Sequence, residues 1–543
     1  MAETEHLTGD KREKSLLSQR ITRREFLGTA TCGLAGLMVP HGSMMLRPEP
    51  TDVPDLLVPW RDSIGWGYRA SAETTYQQMI TDMTVIKAAG GNTVWLTHGN
   101  PGWEVNPRAD EAGISLKDYV AVVNNTAEAP QANLQFDVVH LALEAAGLVG
   151  LRVVLSTGYQ TCAGRWWSER YPNDLRRAKD GSNPIRKGWG DATIWNAAFD
   201  SVRYRELLQN YAAFLKQGVI DQHPGTQIVA IVNADEPNIV DYSDHAVATF
   251  KQQYGLTMAQ AVHTDPYLIG LFQHQSWGRF GAWMANLWQQ VDPRLWNLNT
   301  FHFERTAPWF PGIGAIFEMA PRNMAISFDS HPQDTSMTDR FSRDHLYMLN
   351  ILARTVAFHA SVQGRGNQQY STVPLMLWAG ANRWSLNWAP GEDEAGHATV
   401  QDAVDTMYAV VRETKRVGGD IAAMLAWHFN IPSQRLPDDV QHVAFDTINA
   451  ALGRIGPTLS DHAEQPEAPS IILSYDEHAM LTRIGRLATF DLYDSATLPQ
   501  LLRRHHLSLE TLAMANSVIL PKDSYAYEVA MNMGSNAREI ALF

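Results

Sequence analysis

Gln227-Ile228-Val229-Ala230-Ile231-Val232-Asn233-Ala234-Asp235-Glu236-Pro237-Asn238 is the stretch on which the reading of the fold turns. An uncharged, β-branched run of strand length ends abruptly in two carboxylates and a proline. That composition predicts a strand buried on both faces, and Pro237, with no N–H to donate, stops it. A carboxylate pair at the carboxyl end of a buried strand is where a (β/α)8 barrel carries its chemistry. Glu236 is therefore the leading catalytic candidate, with Asp235 beside it. The plainer alternative is that both acids cap the helix that opens near Asp241 to Ser243.

Strand and helix patterns alternate on both sides of this stretch. Ser63–Gly67, Asn92–Thr97 and Arg152–Thr157 read as strands before it, with helices over Thr74–Ala89, Phe136–Ala146 and Val202–Lys216. Helical segments fill Ser243–Gln290. Trp296–Phe301, Met324–Phe328, Val373–Trp378 and Ile421–Trp427 read as four further strands, and Asp439–Leu452 closes as a helix. Strands alternating with helices over about 400 residues mean a parallel sheet, and eight repeats suit a closed (β/α)8 TIM barrel over 60–459. A composition break at Ser460–Pro469 sets off the tail, 460–543. There Ser470–Ser474 and Asn516–Leu520 read as strands and Leu498–His505 as a helix, a small α/β domain that is either minimal or shortened.

The 543 residues are 45% hydrophobic and 19% charged, enough for a large core and more than one domain. A net charge of -14 argues against nucleic acid as a partner, which needs a basic face. The 17 tryptophans suit sugar clefts, because an indole face stacks on a pyranose while its N–H still donates. Residues 1–59 read as an address and a linker. Thr22-Arg23-Arg24-Glu25-Phe26-Leu27 precedes a mildly apolar run, Gly28–Val39, that is too short to span a bilayer. A twin arginine in that setting predicts Tat export to the periplasm or beyond, with the Tat translocase as a partner. Cys32 falls inside this signal, so Cys162 stands alone in the exported chain and no disulfide or cysteine metal site is expected.

Residues just past each expected strand form a polar and aromatic rim: His98, Trp166 and Trp167, Asn233 with Asp235 and Glu236, His302 and Glu304, Asp329 and His331, Arg383 and Trp384, Trp427. With Trp66 and Trp378 on the strands themselves, this set is expected to bind an oligosaccharide, polysaccharide or glycoside. Glycoside hydrolysis needs two carboxyl groups, about 5 Å apart for retention and roughly 6.5–9.5 Å for inversion. Burial in a barrel mouth would keep one of them protonated as the acid, and Glu236 fits that role. His302, Asp329 and His331 lack tight metal-ligand spacing, and no dinucleotide or phosphate-loop motif stands in a strand-turn-helix setting. Neither metal nor cofactor is expected.

Leu143-Glu144-Ala145-Ala146-Gly147, Leu151-Arg152-Val153-Val154-Leu155 and Arg165-Trp166-Trp167-Ser168-Glu169-Arg170-Tyr171-Pro172 together resemble glycoside hydrolase family 42, the microbial β-galactosidases of clan A. Tyr204-Arg205-Glu206 and Phe328-Asp329-Ser330-His331-Pro332 are also similar to segments of that family. The resemblance extends over about residues 60–520 and rests on loose motifs. It implies a TIM barrel, a β-linked sugar as substrate and Glu236 as acid/base. The tail from Ser470 looks like the start of that family's trimerisation domain, so a homo-oligomer is compatible with the reading.

Three departures stand out. The clan places Asn before the acid/base Glu, where this chain has Asp235. The clan's nucleophilic Glu ends strand seven, where Leu375-Met376-Leu377-Trp378-Ala379-Gly380 carries no carboxylate. The third domain is short. Two functions follow: an exported hydrolase whose second carboxylate is Glu304, Glu318, Asp329 or one of Glu392, Asp393 and Glu394, or a carbohydrate-binding pseudoenzyme that keeps the cleft without hydrolysis.

Overall fold

The structure, a computed structural model, describes residues 61–68, 74–96, 134–156, 162–163, 170–181, 186–189, 192–234, 240–302, 324–329, 347, 350–351, 354–355, 357–359, 362, 375–380, 400–416, 421–427, 438–459, 467–487, 505–522, 524–534 and 536–542. Residues 57–543 form one compact unit. The twin-arginine segment and its linker lie outside the described residues.

Eight strands make the barrel: β1 (Ser63–Tyr68), β2 (Thr93–Leu96), β3 (Arg152–Ser156), β7 (Ile228–Ala234), β8 (Trp296–His302), β9 (Met324–Asp329), β10 (Leu375–Gly380) and β11 (Ile421–Trp427). They close in the order β1-β11-β10-β9-β8-β7-β3-β2, and every neighbouring pair is parallel. Their apolar runs are nearly continuous because both faces are covered. Alternate residues sort into two separate clusters. Trp95, Val154, Ala230, Val232, Trp296, Leu298, Ala423 and Leu425 fill the barrel. Ile64, Trp66, Tyr68, Val94, Leu96, Val153, Leu155, Ile231, Met424 and Ala426 join the layer beneath the helices.

The helices start where the sequence supplies caps. α1 (Tyr76–Ala88) begins at Thr75, whose hydroxyl accepts from Gln78 N, and α2 (Leu134–Val149) leads into β3. α3 (Val202–Gly218) precedes β7 and is capped by Ser201. The helical stretch expected after β7 is three helices. α4 (Asp244–Tyr254) is capped by Ser243 and stopped by Gly255 at φ 71°, α5 (Met258–Thr264) carries a Thr257–Gln260 capping box, and α6 (Pro266–Val291) starts with proline, which needs no N–H there. α7 (Val400–Arg416) links β10 to β11. α8 (Asp438–Leu459) runs past the expected end at Leu452, through Pro457. Its Gly456 lies so close to β1 that a Cβ would stand 2.2 Å from Ile64 Cδ1, so tertiary packing carries the helix through poor local formers. A small antiparallel sheet, β4 (Cys162–Ala163), β5 (Arg186–Trp189) and β6 (Ala192–Asn196), is inserted after β3 and was not expected.

The C-terminal part is a three-stranded parallel sheet in the order β13-β12-β14, made by β12 (Ile471–Tyr475), β13 (Ser517–Pro521) and β14 (Arg538–Ala541). It carries α9 (Glu477–Leu487), α10 (Leu509–Met514) and α11 (Tyr525–Met533). Most of the helix expected over Leu498–His505 lies outside the described residues.

Two contacts fasten this sheet to the barrel. α9 crosses α6 at glycines: a Cβ on Gly270 would sit 2.2 Å from Leu481 O, and one on Gly485 would sit 1.9 Å from Pro266 O. Arg354, fully buried, donates to the carbonyls of Leu512 (3.4 Å), Ala513 (2.9 Å), Ala515 and Ser517 (3.2 Å), meeting the carbonyl end of α10 with a cation. Gly485→Ala is therefore expected to lower Tm. The helix-propensity gain of about 1 kcal/mol is outweighed by an overlap with backbone that costs about 1–3 kcal/mol. An unchanged or raised Tm in thermal unfolding would show that the crossing has room.

Candidate functional site

The carboxyl ends of the barrel strands define the candidate rim. On β8 and β9 the backbone register pairs Phe301 with Phe328 and His302 with Asp329, and on β10 and β11 it pairs Trp378 with Leu425 and Gly380 with Trp427. The ladder between β7 and β8 shifts between Val232 and Ala234, a bulge at Asn233. Bulges re-aim the backbone where strands end near functional residues, and this one immediately precedes Asp235 and Glu236. His302, Asp329 and Trp427 end their strands, while Asn233 lies one residue and Trp378 two residues inside the ends of theirs. His98, Trp166, Trp167, Asp235, Glu236, Glu304, His331, Arg383 and Trp384 lie outside the described residues, as do Glu318, Glu392, Asp393 and Glu394.

Trp66 has a different place from the one expected. It is fully buried in the layer beneath the helices, and its indole N–H donates to Asn449 Oδ1 on α8 at 2.6 Å. Period-two alternation explains the correction: Ser63, Gly65 and Gly67 take the other parity of β1, so Trp66 is a core residue and not a stacking platform.

The segments 174–203 and 240–245 share a buried polar cluster that the sequence reading passed over. Asp174 closes a short turn, Pro172–Asp174, and is 4% exposed. Its Oδ1 accepts from Ser201 Oγ at 2.5 Å and lies 3.1 Å from His245 Nε2, while Arg203 pairs with Oδ2. Arg176 is fully buried. Its Nε donates to Ala197 O at 3.0 Å, its Nη2 to Asn196 Oδ1 at 2.7 Å, and its guanidinium stands 4.3 Å above the Phe199 ring.

The chain re-enters the described residues at Val240, and Asp241 is at once anchored. Its N–H donates to Gln273 Oε1 and its carbonyl accepts from Gln273 Nε2, both at 2.9 Å, while its Oδ1 accepts from Ser243 N at 2.8 Å. Tyr242 N donates to Arg177 O at 3.0 Å, which ties this turn to the Asp174 segment. Burial pushes the Asp241 carboxyl up to about 6; the charge of Arg176 and hydrogen bonds from Ser243 oppose that rise, and Asp200 adds to it. The pattern Asp241-Tyr242-Ser243-Asp244-His245 shows in sequence only as a helix start. Its partners on 174–201 and α6 are brought by the fold.

Among the described residues no group of three or more His, Cys, Asp or Glu side chains could hold a metal ion. No described helix is long and apolar enough to cross a membrane.

No family model matches the chain, and no curated protein matches it. Solved structures do. A β-galactosidase from Bacillus circulans sp. alkalophilus is similar with a TM-score of 0.56 and 14% identity, over 86% of this chain and 66% of that one. One from the Antarctic haloarchaeon Halorubrum lacusprofundi has a TM-score of 0.54 at 13% identity, over 85% and 67%. A catalytic mutant of a family 42 β-galactosidase from G. stearothermophilus has a TM-score of 0.54 at 14% identity, over 86% and 67%. This chain thus spans about two thirds of the length of these neighbours. At such identities the likeness is one of fold, a parallel α/β barrel, and membership of family 42 does not follow from it.

The Asp241 carboxyl yields a stability test with a definite sign. Its folded pKa, about 6, lies above the ordinary 3.8. Its stabilising contribution is complete below the unfolded pKa and is lost as pH rises through the folded one. Asp241→Asn abolishes that titration. The stability of the natural chain relative to this variant should fall by about 1–3 kcal/mol between pH 4 and pH 7, read from urea midpoints. A difference that stays constant over this range would show that Asp241 ionises normally.

Proposed function

We propose that this chain is an exported glycoside hydrolase acting on a β-linked sugar, with Glu236 as the general acid/base. One observation carries the proposal: Asp235 and Glu236 follow directly on the carboxyl end of β7, the fourth strand of a closed parallel barrel, after a bulge. This is the end of such a barrel that bears the active site. The likeness in fold to β-galactosidases supports the same reading. We further read 60–459 as a complete (β/α)8 domain of that type, 460–543 as an accessory domain and 1–59 as a Tat signal with its linker.

In this mechanism Glu236 protonates the glycosidic oxygen as the bond to the sugar breaks; a second carboxylate either takes the anomeric carbon as an ester, which water then cleaves as Glu236 takes up its proton, or itself takes the proton of a water that attacks that carbon directly. Asp329 and Glu304 are the first candidates for the second carboxylate. Asp329 ends β9 in register with His302, and Glu304 follows β8 by two residues. Tryptophans 166, 167, 378, 384 and 427 supply stacking faces, and His98, Asn233, His302, His331 and Arg383 supply polar groups for hydroxyls. A second reading, a carbohydrate-binding pseudoenzyme, rests on β10, which ends in Trp378-Ala379-Gly380 with no carboxylate.

Glu236→Gln keeps the shape but cannot deliver a proton. Glycosides with poor leaving groups should lose about 10²–10⁴ in rate, and activated aryl glycosides far less. An equal loss for both would make Glu236 a nucleophile or a binding residue, and a natural protein that binds sugars without turnover would establish the pseudoenzyme. Export has its own test. Replacing Arg23 and Arg24 by Lys should leave the precursor in the cytoplasm, as seen by cell fractionation, and normal export of that variant would remove the Tat assignment.

A further inference from the structure

The turn that leads into β7, at the end of that strand away from the candidate rim, is seated on one face of α2. Positions 140, 143 and 147 of the helix share that face. Thr226 Oγ1 donates to Leu143 O at 2.7 Å, and a Cβ on Gly147 would stand 2.4 Å from the same hydroxyl oxygen. The turn is closed by its own backbone: His223 N donates to Ile220 O at 3.2 Å and Thr226 N to His223 O at 3.0 Å. Gln227 O then accepts from Val153 N at 2.8 Å, so this turn is the entry to β7 and to its ladder with β3.

Two half-buried imidazoles meet at the edge of this seat. His140 Nδ1 lies 2.7 Å from His223 Nε2, and the ring centroids are 5.0 Å apart. Those distances leave room for one ring radius on either side of the contact, so the two nitrogens point at each other along the line of centres. Chelation of a cation would need both lone pairs to converge on a third point. What fits is one proton, with an N–H of one ring donating to the bare nitrogen of the other. A single imidazolium in the pair strengthens that bond. Two imidazolium rings destroy it, because no acceptor remains and like charges face each other.

Burial first, and then the neighbouring His140, push the His223 imidazole below the ordinary 6.5, while Glu144 of α2 favours its charged form. On α1, Tyr76 engages Glu144, and beside the turn Lys216 pairs with Asp221. A ring whose folded pKa is lowered contributes stability that is complete above the unfolded value and is lost as pH falls through the folded one.

We propose that the His140–His223 pair is an acid-sensitive clamp, which docks the entry of β7 on α2 while at most one ring is charged and releases it when both are. The bond from Thr226 to Leu143 and the packing at Gly147 involve no titratable group, so the release is local. The turn 219–226 is the segment that gains freedom in acid. The clamp does not depend on which reaction the rim performs.

The test is hydrogen exchange in the full chain at pH 7.5 and pH 5, with protection taken relative to an unstructured peptide of the same sequence. Protection over 219–227 should fall about two- to tenfold in acid, the worth of one hydrogen bond, while peptides covering β11 keep theirs. His140→Gln, whose amide does not titrate, should remove that fall; His223→Gln is the second variant should the first fold poorly. Carbon NMR of labelled histidine gives an independent reading. The two ring signals, assigned by their loss in the variants, should titrate in two separate steps, the second below 6.5, and the ring left in either variant should titrate in one. An equal fall of protection in the natural chain and the variants, or a fall shared by β11, would overturn the proposal. So would two rings that titrate independently at their ordinary value.

Discussion

Closure of the parallel sheet is the constraint on which the rest of this molecule depends. Eight strands paired in parallel leave no free edge, so each ladder finds its partner within the barrel. Closure also divides each strand's side chains into two apolar populations with different duties. One fills the barrel, led by Trp95, Trp296, Leu298 and Leu425; the other seats the helices, led by Trp66, Tyr68, Val153 and Met424. With both populations apolar, polar residues gather beyond the strand ends.

The C-terminal sheet is integrated into this body through two unlike devices. At the α6–α9 crossing, Gly270 and Gly485 bring helix backbones within a distance that no side chain tolerates, so the contact depends on the absence of atoms. At Arg354 the contact depends on charge. A buried guanidinium reaches several carbonyls at the end of α10 and has Glu413 3.9 Å away. A cation placed on the carbonyl end of a helix meets both the unpaired acceptors and the negative end of the dipole. Neither device resembles a flexible tether between independent domains.

Burial of charge in the segments 174–201 and 240–245 is the other place where local rules are broken. Arg176, Asp174 and Asp241 are all buried, and each is met by named partners. An apolar repacking would satisfy the core equally well but would specify backbone positions less sharply, since dispersion contacts lack direction.

Much of the fold was legible in the residues. β11 spans Ile421–Trp427 as read from I-A-A-M-L-A-W, and β1, β3, β7, β8 and β9 lie within one or two residues of expectation, because a strand covered on both faces leaves a dense apolar run. The helices that the structure shows capped by Thr75, Ser201 and Ser243 begin within two residues of expectation. Less was legible where long-range contacts override local preference. α8 continues through Gly453, Gly456 and Pro457 because β1 lies against it, and the inserted sheet of Cys162–Asn196 carries no strong period. For the candidate site, residue type and order along the chain marked the rim: Asp235 and Glu236 after β7, His302 on β8, Asp329 on β9. Only the tertiary structure decided that Trp66 belongs to the core, that His302 and Asp329 share a register, and that Gln273 meets the backbone of Asp241 across 32 residues of chain. The physical reason is that composition and period report which surface of an element is apolar, whereas the choice of neighbour is made by closure and packing between elements far apart in sequence.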